Sequence, residues 1–472
     1  MTTKKFVVSA LVSALAGGTQ VAQATDVFRL EGFGAVSRGM GGTAVAHDVG
    51  PAGMMTNPAT LSLMPDGDQA MVGLDLVTTD ITVKNTRTGE TVSSETHSNN
   101  RGPYVAPEAA FTKRIGSWTL GVGAFAQGGL GVEYGNGSFL SRDVADQPTG
   151  LPNSSRLLVL NIPFAASFQA TEKLTIAGSV DAMWQGLNLD LLLTTSQVGT
   201  LAGNGRVSGS LFTNVLVPNL ANITGAHFSL TKDQFLGSGV DAWGYGAKLG
   251  MLYKLTPATT LGAAYSFQSQ MDDMEGQATL TAVFNNASNS PNGATNFPLG
   301  GKIKIKDFQM PAHIDVGVSQ RLSSQWIVTA DVSRVFWKDV MKDIKVTFVS
   351  NQGMGDLNID LPQDYKDQTV FSIGTAYDLN DQLTLRGGFR FATQALRSST
   401  LFAVIPATPT KHLSAGFTYA FSKQAKLDFA YSHAFKETMD NPGVAAGNSN
   451  AGDPIQVTHA QNNATINFRY SF

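Results

Sequence analysis

The chain has 472 residues, no cysteine and a formal net charge of −3. The missing cysteine excludes disulfides and thiolate metal sites, and the near-neutral balance argues against a nucleic-acid partner. Charged residues make up only 15%, against roughly 25% in ordinary globular proteins, and the 49 glycines, in no regular repeat, suit the turns and bends of β-structure.

Lys4 and Lys5 precede an apolar run from Phe6 to Ala16, and Ala22-Gln23-Ala24 is a small-x-small cleavage site. Residues 1–24 therefore read as a secretory signal peptide, too short to span a bilayer as a helix. No later stretch has the roughly 18 uninterrupted apolar residues of a spanning helix. A chain of this composition enters a membrane as a closed barrel, because only closure satisfies every strand hydrogen bond.

Residues 25–65 lack the period-two pattern of the rest of the chain. Gly39, Gly41, Gly42, Gly50 and Gly53 break any long helix, and only Thr43 to His47 could form a turn or two. The stretch is too apolar for a disordered tail, so it is expected to plug the barrel interior.

From residue 68 onward about fourteen period-two segments recur. They lie near 68–85, 104–114, 117–130, 156–169, 174–194, 239–254, 260–284, 301–320, 325–349, 365–378, 382–395, 411–421, 425–438 and 461–472. Seven long polar links alternate with six short ones, such as Ile115-Gly116 and Asn380-Asp381. That asymmetry belongs to a transmembrane barrel with tight periplasmic turns and longer external loops. Trp118, Phe168, Tyr253, Trp326, Tyr377 and Phe421 lie near the short turns, as a periplasmic aromatic girdle would.

Within 117–127, Trp118, Leu120 and Val122 share one face while Thr119, Gly121, Gly123, Phe125 and Gln127 share the other, as lipid outside and a lumen inside require. Gly128, Gly129 and Gly131 then interrupt the third strand, where glycine marks a bulge or sharp bend. The final strand puts Ile466, Phe468, Tyr470 and Phe472 on one face. A last strand ending on an aromatic resembles the assembly signal of bacterial outer-membrane barrels, which makes the barrel assembly machinery an expected partner of Phe472.

Candidate binding residues are apolar. The external loop 197–237 carries Phe212, Leu216, Leu220 and Phe228 among other large apolar residues that would otherwise face water, a pattern that marks a binding surface. Segment 174–191 continues its inward face as Leu187, Leu189 and Leu191 beyond the roughly eleven residues needed to cross the hydrocarbon. Those leucines are expected in an internal pocket with Phe125, and Phe28 and Phe33 of the N-terminal segment are expected to meet them from below.

The glycine-rich stretch Phe33-Gly34-Ala35-Val36-Ser37-Arg38-Gly39-Met40-Gly41-Gly42-Thr43 leads to Asn57-Pro58-Ala59. It resembles the N-terminal hatch of the FadL family of hydrophobic-compound channels. Within that family the chain is most similar to the toluene and xylene (TodX/XylN-type) branch, also through Ser98 to Tyr104, Leu187 to Gly199 and His227-Phe228-Ser229-Leu230. The resemblance implies an all-β, fourteen-stranded antiparallel transmembrane β-barrel over 66–472, its lumen closed by a hatch over 25–65 containing Asn57, Pro58 and Ala59. It also implies a greasy loop groove and a lateral-opening kink at Gly128, Gly129 and Gly131.

The expected function is passive uptake of small hydrophobic compounds, foremost monoaromatic hydrocarbons such as toluene or xylene, by a monomer in the Gram-negative outer membrane. Long-chain fatty acid is the alternative substrate. It would require a cation for its carboxylate, for which Arg156, Lys248, Arg334, Lys338, Arg386 and Arg390 are candidates. An outer-membrane enzyme is a third class, but the seven histidines are scattered, and neither a Gly-x-Ser-x-Gly elbow nor His-Glu-x-x-His occurs. No cofactor, metal or nucleic acid is expected.

Overall fold

The computed structural model describes residues 27–94, 104–230, 238–448 and 450–472. The signal-peptide assignment over 1–24, most of the Ser98 to Tyr104 similarity, and Phe235 and Leu236 of the long loop fall outside the described residues.

The first six strands in chain order are β1 (Gln69–Asn85), β2 (Thr91–Ser93), β3 (Tyr104–Ile115), β4 (Trp118–Glu133), β5 (Ser154–Gln169) and β6 (Leu174–Thr194). Next come β7 (Val207–Ser208), β8 (Ile223–Ser229), β9 (Val240–Thr256), β10 (Thr259–Ser266), β11 (Gln270–Met271) and β12 (Met274–Phe284). They are followed by β13 (Asn296–Lys306), β14 (His313–Arg321), β15 (Trp326–Val335), β16 (Asp343–Ser350) and β17 (Asp356–Pro362). The last five are β18 (Gln368–Asp378), β19 (Leu383–Ala392), β20 (Lys411–Ala420), β21 (Ala425–Asn441) and β22 (Ile455–Ser471).

All belong to one sheet, antiparallel throughout, which closes where β1 pairs with β22 from Gln69–Ser471 to Asn85–Ile455. The closed all-β transmembrane barrel expected from the sequence is what forms, but the fourteen-strand expectation is corrected: β8 and β12 are inserted between the upper parts of β6 and β9, so the closed ring has 16 strands, and hydrogen bonding divides the whole sheet into 22 strand segments. Three stretches expected as single strands are broken: 260–284 into β10, β11 and β12, 301–320 into β13 and β14, and 325–349 into β15 and β16. The expected loops contain β2, β7, β8 and β17. Local causes are visible at the breaks. Pro311 has no N–H to give a ladder, Asp307 adopts a positive φ of 54°, and Trp337–Val340 form a helical turn. Alternation survives on both sides of each break, so a period-two reading runs straight across it.

The pleat sorts side chains as the pattern requires. Trp118, Leu120 and Val122 are exposed on the outer face, while Thr119 and Phe125 are buried on the inner one. On β9, Trp243, Tyr245, Leu249, Met251 and Tyr253 point outward, and Lys248 and Leu252 are buried inside.

Residues 27–64 lie within the ring of strands and are almost wholly buried. The segment holds a short helix, Gly34–Gly39, and two tight helical turns, Gly50–Met55 and Pro58–Leu63. Beyond the short antiparallel bridge of Arg29 to Gly128 its backbone joins no ladder of the wall, so wall side chains satisfy it. Asp331 accepts from the N–H of Ala44 (2.7 Å) and Val45 (3.1 Å). Glu108 accepts from Gly34 N–H, Asn467 from Ala35 N–H, and Ser414 from Gly41 N–H. Gly41 has φ +69°, and a Cβ there would lie 2.8 Å from the Phe389 backbone. A Cβ on wall residue Gly388 would collide with Gly41 N. Close backbone approach explains both glycines.

Asn57 joins the segment to the wall. Its side chain accepts from Ala59 N–H (3.1 Å) and donates to the carbonyls of Val45 (2.7 Å) and Met251 (3.2 Å). Arg38 is fully buried, 2.9 Å from Asp75 and 3.6 Å from Glu31. Asp75 also accepts from Thr465, and Glu31 from Asn463. Burial alone would raise the Glu31 carboxyl, but Arg38 foremost, then His412 and Asn463, bring it down to about 2.

Removing one member of such a buried set leaves uncompensated charge. Arg38→Met is expected to weaken docking of the segment by about 3–5 kcal/mol. The measurement is entry of large hydrophilic antibiotics into cells carrying the variant. Wild-type resistance at equal barrel abundance would show that the segment does not depend on Arg38.

Candidate functional site

The ring of Phe28, at the start of the described chain, packs among three aromatic residues from the wall. Its centroid lies 5.3 Å from Trp337, 6.0 Å from Phe308 and 6.2 Å from Tyr365, and Trp337 and Tyr365 are 6.3 Å apart. Phe308 lies between β13 and β14, Trp337 between β15 and β16, and Tyr365 between β17 and β18. The breaks that divide these strands thus release side chains from strict alternation and direct several large ones inward. Met310, Met341, Leu401 and Phe402 pack into the same apolar cluster. The rings pack against one another, each such aromatic pair contributing about 1 kcal/mol beyond its buried area.

The expected site residues divide into three groups. Phe28, Leu187, Leu189, Leu191, Phe212, Leu216 and Phe228 all join this cluster or pack against it. Phe33 and Phe125 belong to a second cluster with Met54, Met55, Leu61 and Met71, at the level of the N-terminal segment. Leu220 is exposed and joins neither. Most apolar residues of the long loop do not form an open patch: Leu211, Leu216, Ile223, Phe228 and Leu230 are buried in the main cluster, leaving Val217 and Leu220 exposed.

Sequence reasoning missed Phe308, Trp337 and Tyr365. Two signals were present, the Asp307-to-Pro311 interruption and the adjacent Phe336-Trp337, which no single strand face can accommodate.

Gly128, Gly129 and Gly131 lie where two neighbouring strands part. Pairing of β3 with β4 stops at Glu108–Phe125, and β4 shifts register between Ala126 and Gly128. Among the described residues no ladder pair joins 104–107 to β4. The N-terminal segment takes up the free edge instead: Gly129 N–H donates to Phe28 O (2.7 Å), and Leu30 N–H to Gln127 O (3.2 Å). A Cβ at 128 would collide with Phe28 O, and one at 131 with the Tyr104 ring. The residue whose ring enters the cluster is therefore hydrogen-bonded to the strand that forms the seam.

Two buried titratable groups are held in fixed states. Tyr134 donates to Ala403 O (2.7 Å), and burial pushes its phenol up. His47 is buried with Nε2 3.0 Å from Thr43 O, and burial pushes its imidazole down to about 4 despite that bond. Between the unfolded value of about 6.5 and the folded value, the unfolded chain binds a proton that the docked segment refuses. Stability therefore falls as pH drops through 6.5 toward 4. The loss amounts to about 3 kcal/mol, and the Glu31 contribution is lost only below its own unfolded range. Thermal unfolding of the purified barrel from pH 7 to 5 should show this slope, and His47→Gln should flatten it. An equal slope in both proteins would assign the acid response elsewhere.

A family model described as outer membrane protein transport protein (OMPP1/FadL/TodX) matches residues 7–472. The structure is similar to that of the Pseudomonas putida toluene transporter TodX, with TM-score 0.81, 40% identity and coverage of 95% of this chain and 100% of that one. It is also similar to the Ralstonia pickettii toluene transporter TbuX, with TM-score 0.77, 43% identity and coverage of 94% and 99%. The outer membrane protein P1 of Haemophilus influenzae is 24% identical over 99% of this chain and 100% of its own length. A long-chain fatty acid transport protein of Salmonella typhi is 24% identical over 57% of this chain, and the match spans 60% of that relative. With its closed sheet, apolar outer band and apolar interior, the chain belongs to the OMPP1/FadL/TodX family and is a hydrophobic-compound channel of the Gram-negative outer membrane.

Proposed function

We propose that this chain admits monoaromatic hydrocarbons of the toluene type, passively, and that the aromatic cluster around Phe28 is where they bind. The observation that carries this reading is the convergence of Phe28, Phe308, Trp337 and Tyr365 within the lumen, a surface suited to a flat neutral ring. The similarity to two toluene transporters at 40% and 43% identity points the same way. A fatty acid would need a cation beside the apolar cluster. Of the candidates, Lys248 is paired with Asp181 and Arg334 with Asp367, while Arg386 donates to Thr418 and Arg390 to Ser372.

The path begins at the loop helices over Phe212, Leu216 and Leu220, continues past Leu191, Leu189 and Leu187, and reaches Phe28. For an apolar solute each step avoids water, whose contact costs about 25 cal/mol per Å² of surface. Residues 25–65 act as the hatch, Asn57, Pro58 and Ala59 anchoring it to β9. A ligand that displaces Phe28 pulls on the bonds of residues 28–30 to β4, so release occurs through the seam at Gly128, Gly129 and Gly131 or past the segment. In this reading the chain works as a monomeric channel.

Phe28→Ala should cost about 1 kcal/mol of ligand contact, roughly a fivefold loss of initial toluene uptake at low concentration. Cells lacking their own transporter and carrying this chain should take up toluene and leave oleate transport unrestored. Restored oleate uptake with no gain in toluene uptake would refute the substrate assignment.

The exposed ring of Phe472, in edge contact with Phe111 and Tyr470, is the proposed contact for the barrel assembly machinery. Phe472→Ser should lower the amount of folded barrel several-fold without changing uptake per barrel. Unchanged abundance in the outer membrane would remove that role.

A further inference from the structure

Away from the β3–β4 seam, four neighbouring strands lose their ladder at one height. Pairing ends at Ser266–His313 between β10 and β14, at His313–Val335 between β14 and β15, and at Val335–Gln368 between β15 and β18. It resumes at Met274–Ile305, Lys306–Lys345 and Asp343–Pro362. β14 has 9 residues and β15 has 10, about the 9–11 that cross the hydrocarbon at barrel tilt. This irregular waist therefore lies at the outer-leaflet boundary.

The gaps are closed in different ways. Between β10–β12 and β13–β14, side chains lace the wall: Gln309 Oε1 accepts from Met271 N–H (2.7 Å) and Ser269 Oγ (3.0 Å), and Nε2 donates to Met271 O (2.9 Å). The bond from Phe336 N–H to Ala312 O (3.0 Å) is the last rung above β14 and β15. Beyond it, between 307–311 and 337–342, no hydrogen bond crosses among the described residues. Apolar side chains fill that gap instead. Phe308, Met310 and Trp337 are buried on its inner side, and Ala312 and Phe336 lie at its outer mouth.

On the lipid-facing surface the same waist forms a pocket of about 650 Å³, bordered by Tyr245, Tyr265, Phe267, Ala312 and Phe336, with Asp339 at its rim. That size falls within the roughly 300–1,000 Å³ of small-molecule sites. Tyr245 and Phe267 are 62% and 46% exposed, so the pocket opens outward. Ala312 and Phe336 outside, and Phe308 and Trp337 inside, belong to the same two short segments. One thickness of chain separates the outer pocket from the cluster around Phe28.

We propose that this pocket is a second binding site for a neutral aromatic compound dissolved in the outer leaflet, and that the unladdered seam between 307–311 and 337–342 is its passage to the inner cluster. The proposal rests on the aromatic-hydrocarbon reading of the inner cluster. An apolar ring concentrates in lipid rather than water, and a site at the leaflet boundary draws on that store directly. Among the described residues, parting this seam breaks no backbone pairing; the side chains that fill it, Phe336 outside and Phe308, Met310 and Trp337 inside, have to move aside, whereas parting a laddered pair of strands would expose amides to hydrocarbon.

The test uses the full barrel crystallised from lipid bicelles and soaked with bromobenzene, together with toluene uptake by cells. A bromine anomalous peak beside Ala312 and Phe336 is expected, and Ala312→Trp should slow initial uptake about threefold at equal barrel abundance. Because tryptophan at 312 could impair assembly, Ala312→Cys is labelled with a bulky maleimide after assembly. The chain has no other cysteine, and uptake should fall when the same cells are compared before and after labelling. Bromine at the Phe28 cluster but not in the outer pocket, an acyl chain in that pocket, or uptake unaffected by labelling overturns the proposal and leaves the transport reading intact. Bromine at neither site counts against the transport reading itself.

Discussion

Closure of the sheet is the constraint on which the rest of this structure depends. In hydrocarbon an unpaired backbone N–H or C=O has no water to turn to, so a strand edge must meet another edge. All 17 residues of β1 pair with β22 on one side, and closure then dictates a lumen that has to be filled. At one level the filling is residues 27–64, a glycine-rich stretch with little repetitive structure. Because its amides beyond residue 30 enter no ladder, inward-facing strand positions supply partners for several of them: Asp331 for Ala44 and Val45, Glu108 for Gly34, Asn467 for Ala35 and Ser414 for Gly41. Wall glycines such as Gly388 let the two backbones approach.

The interior changes character along its axis for the same reason. Where strand side chains face backbone amides they are carboxylates, amides and hydroxyls, with Arg38 offsetting the charge of Asp75 and Glu31. The main buried cluster beyond the segment is built from aromatic and aliphatic side chains. Phe28 stands at the boundary. Its ring enters the apolar cluster, and its carbonyl is bound by Gly129 of the seam strand. The N-terminal segment, the seam strand and the apolar cluster thus share one residue.

Irregularity in the wall is concentrated where it is tolerable. Around the waist, Gln309 and Ser269 replace missing backbone bonds with side-chain ones. Elsewhere at the same height Trp337 and Phe308 exclude solvent from a gap that has none. Non-ladder backbone at membrane depth survives only where it is buried or lines a cavity, and here it does both.

Much of the wall was legible from alternation alone. The expected strand 174–194 coincides with β6, Leu191 is buried in the main apolar cluster with Leu187 and Leu189 packed against it, and the glycine run opens at Gly128 on a register shift. These features are local, since period-two patterning, turn length and glycine content act over a few residues. Strand number was not legible, because a break at Pro311 or Trp337 leaves the alternation on either side untouched. Nor was the aromatic site, which joins residues 28, 308, 337 and 365 through closure of the sheet. The apolar loop residues were read as a water-facing groove because composition cannot tell a surface patch from a layer packed over the rim; their burial depends on the strands rising high enough to meet them. Local chemistry thus made the chain a barrel, and only the closed ring, by bringing distant breaks to one height, decided where its inward aromatic side chains converge.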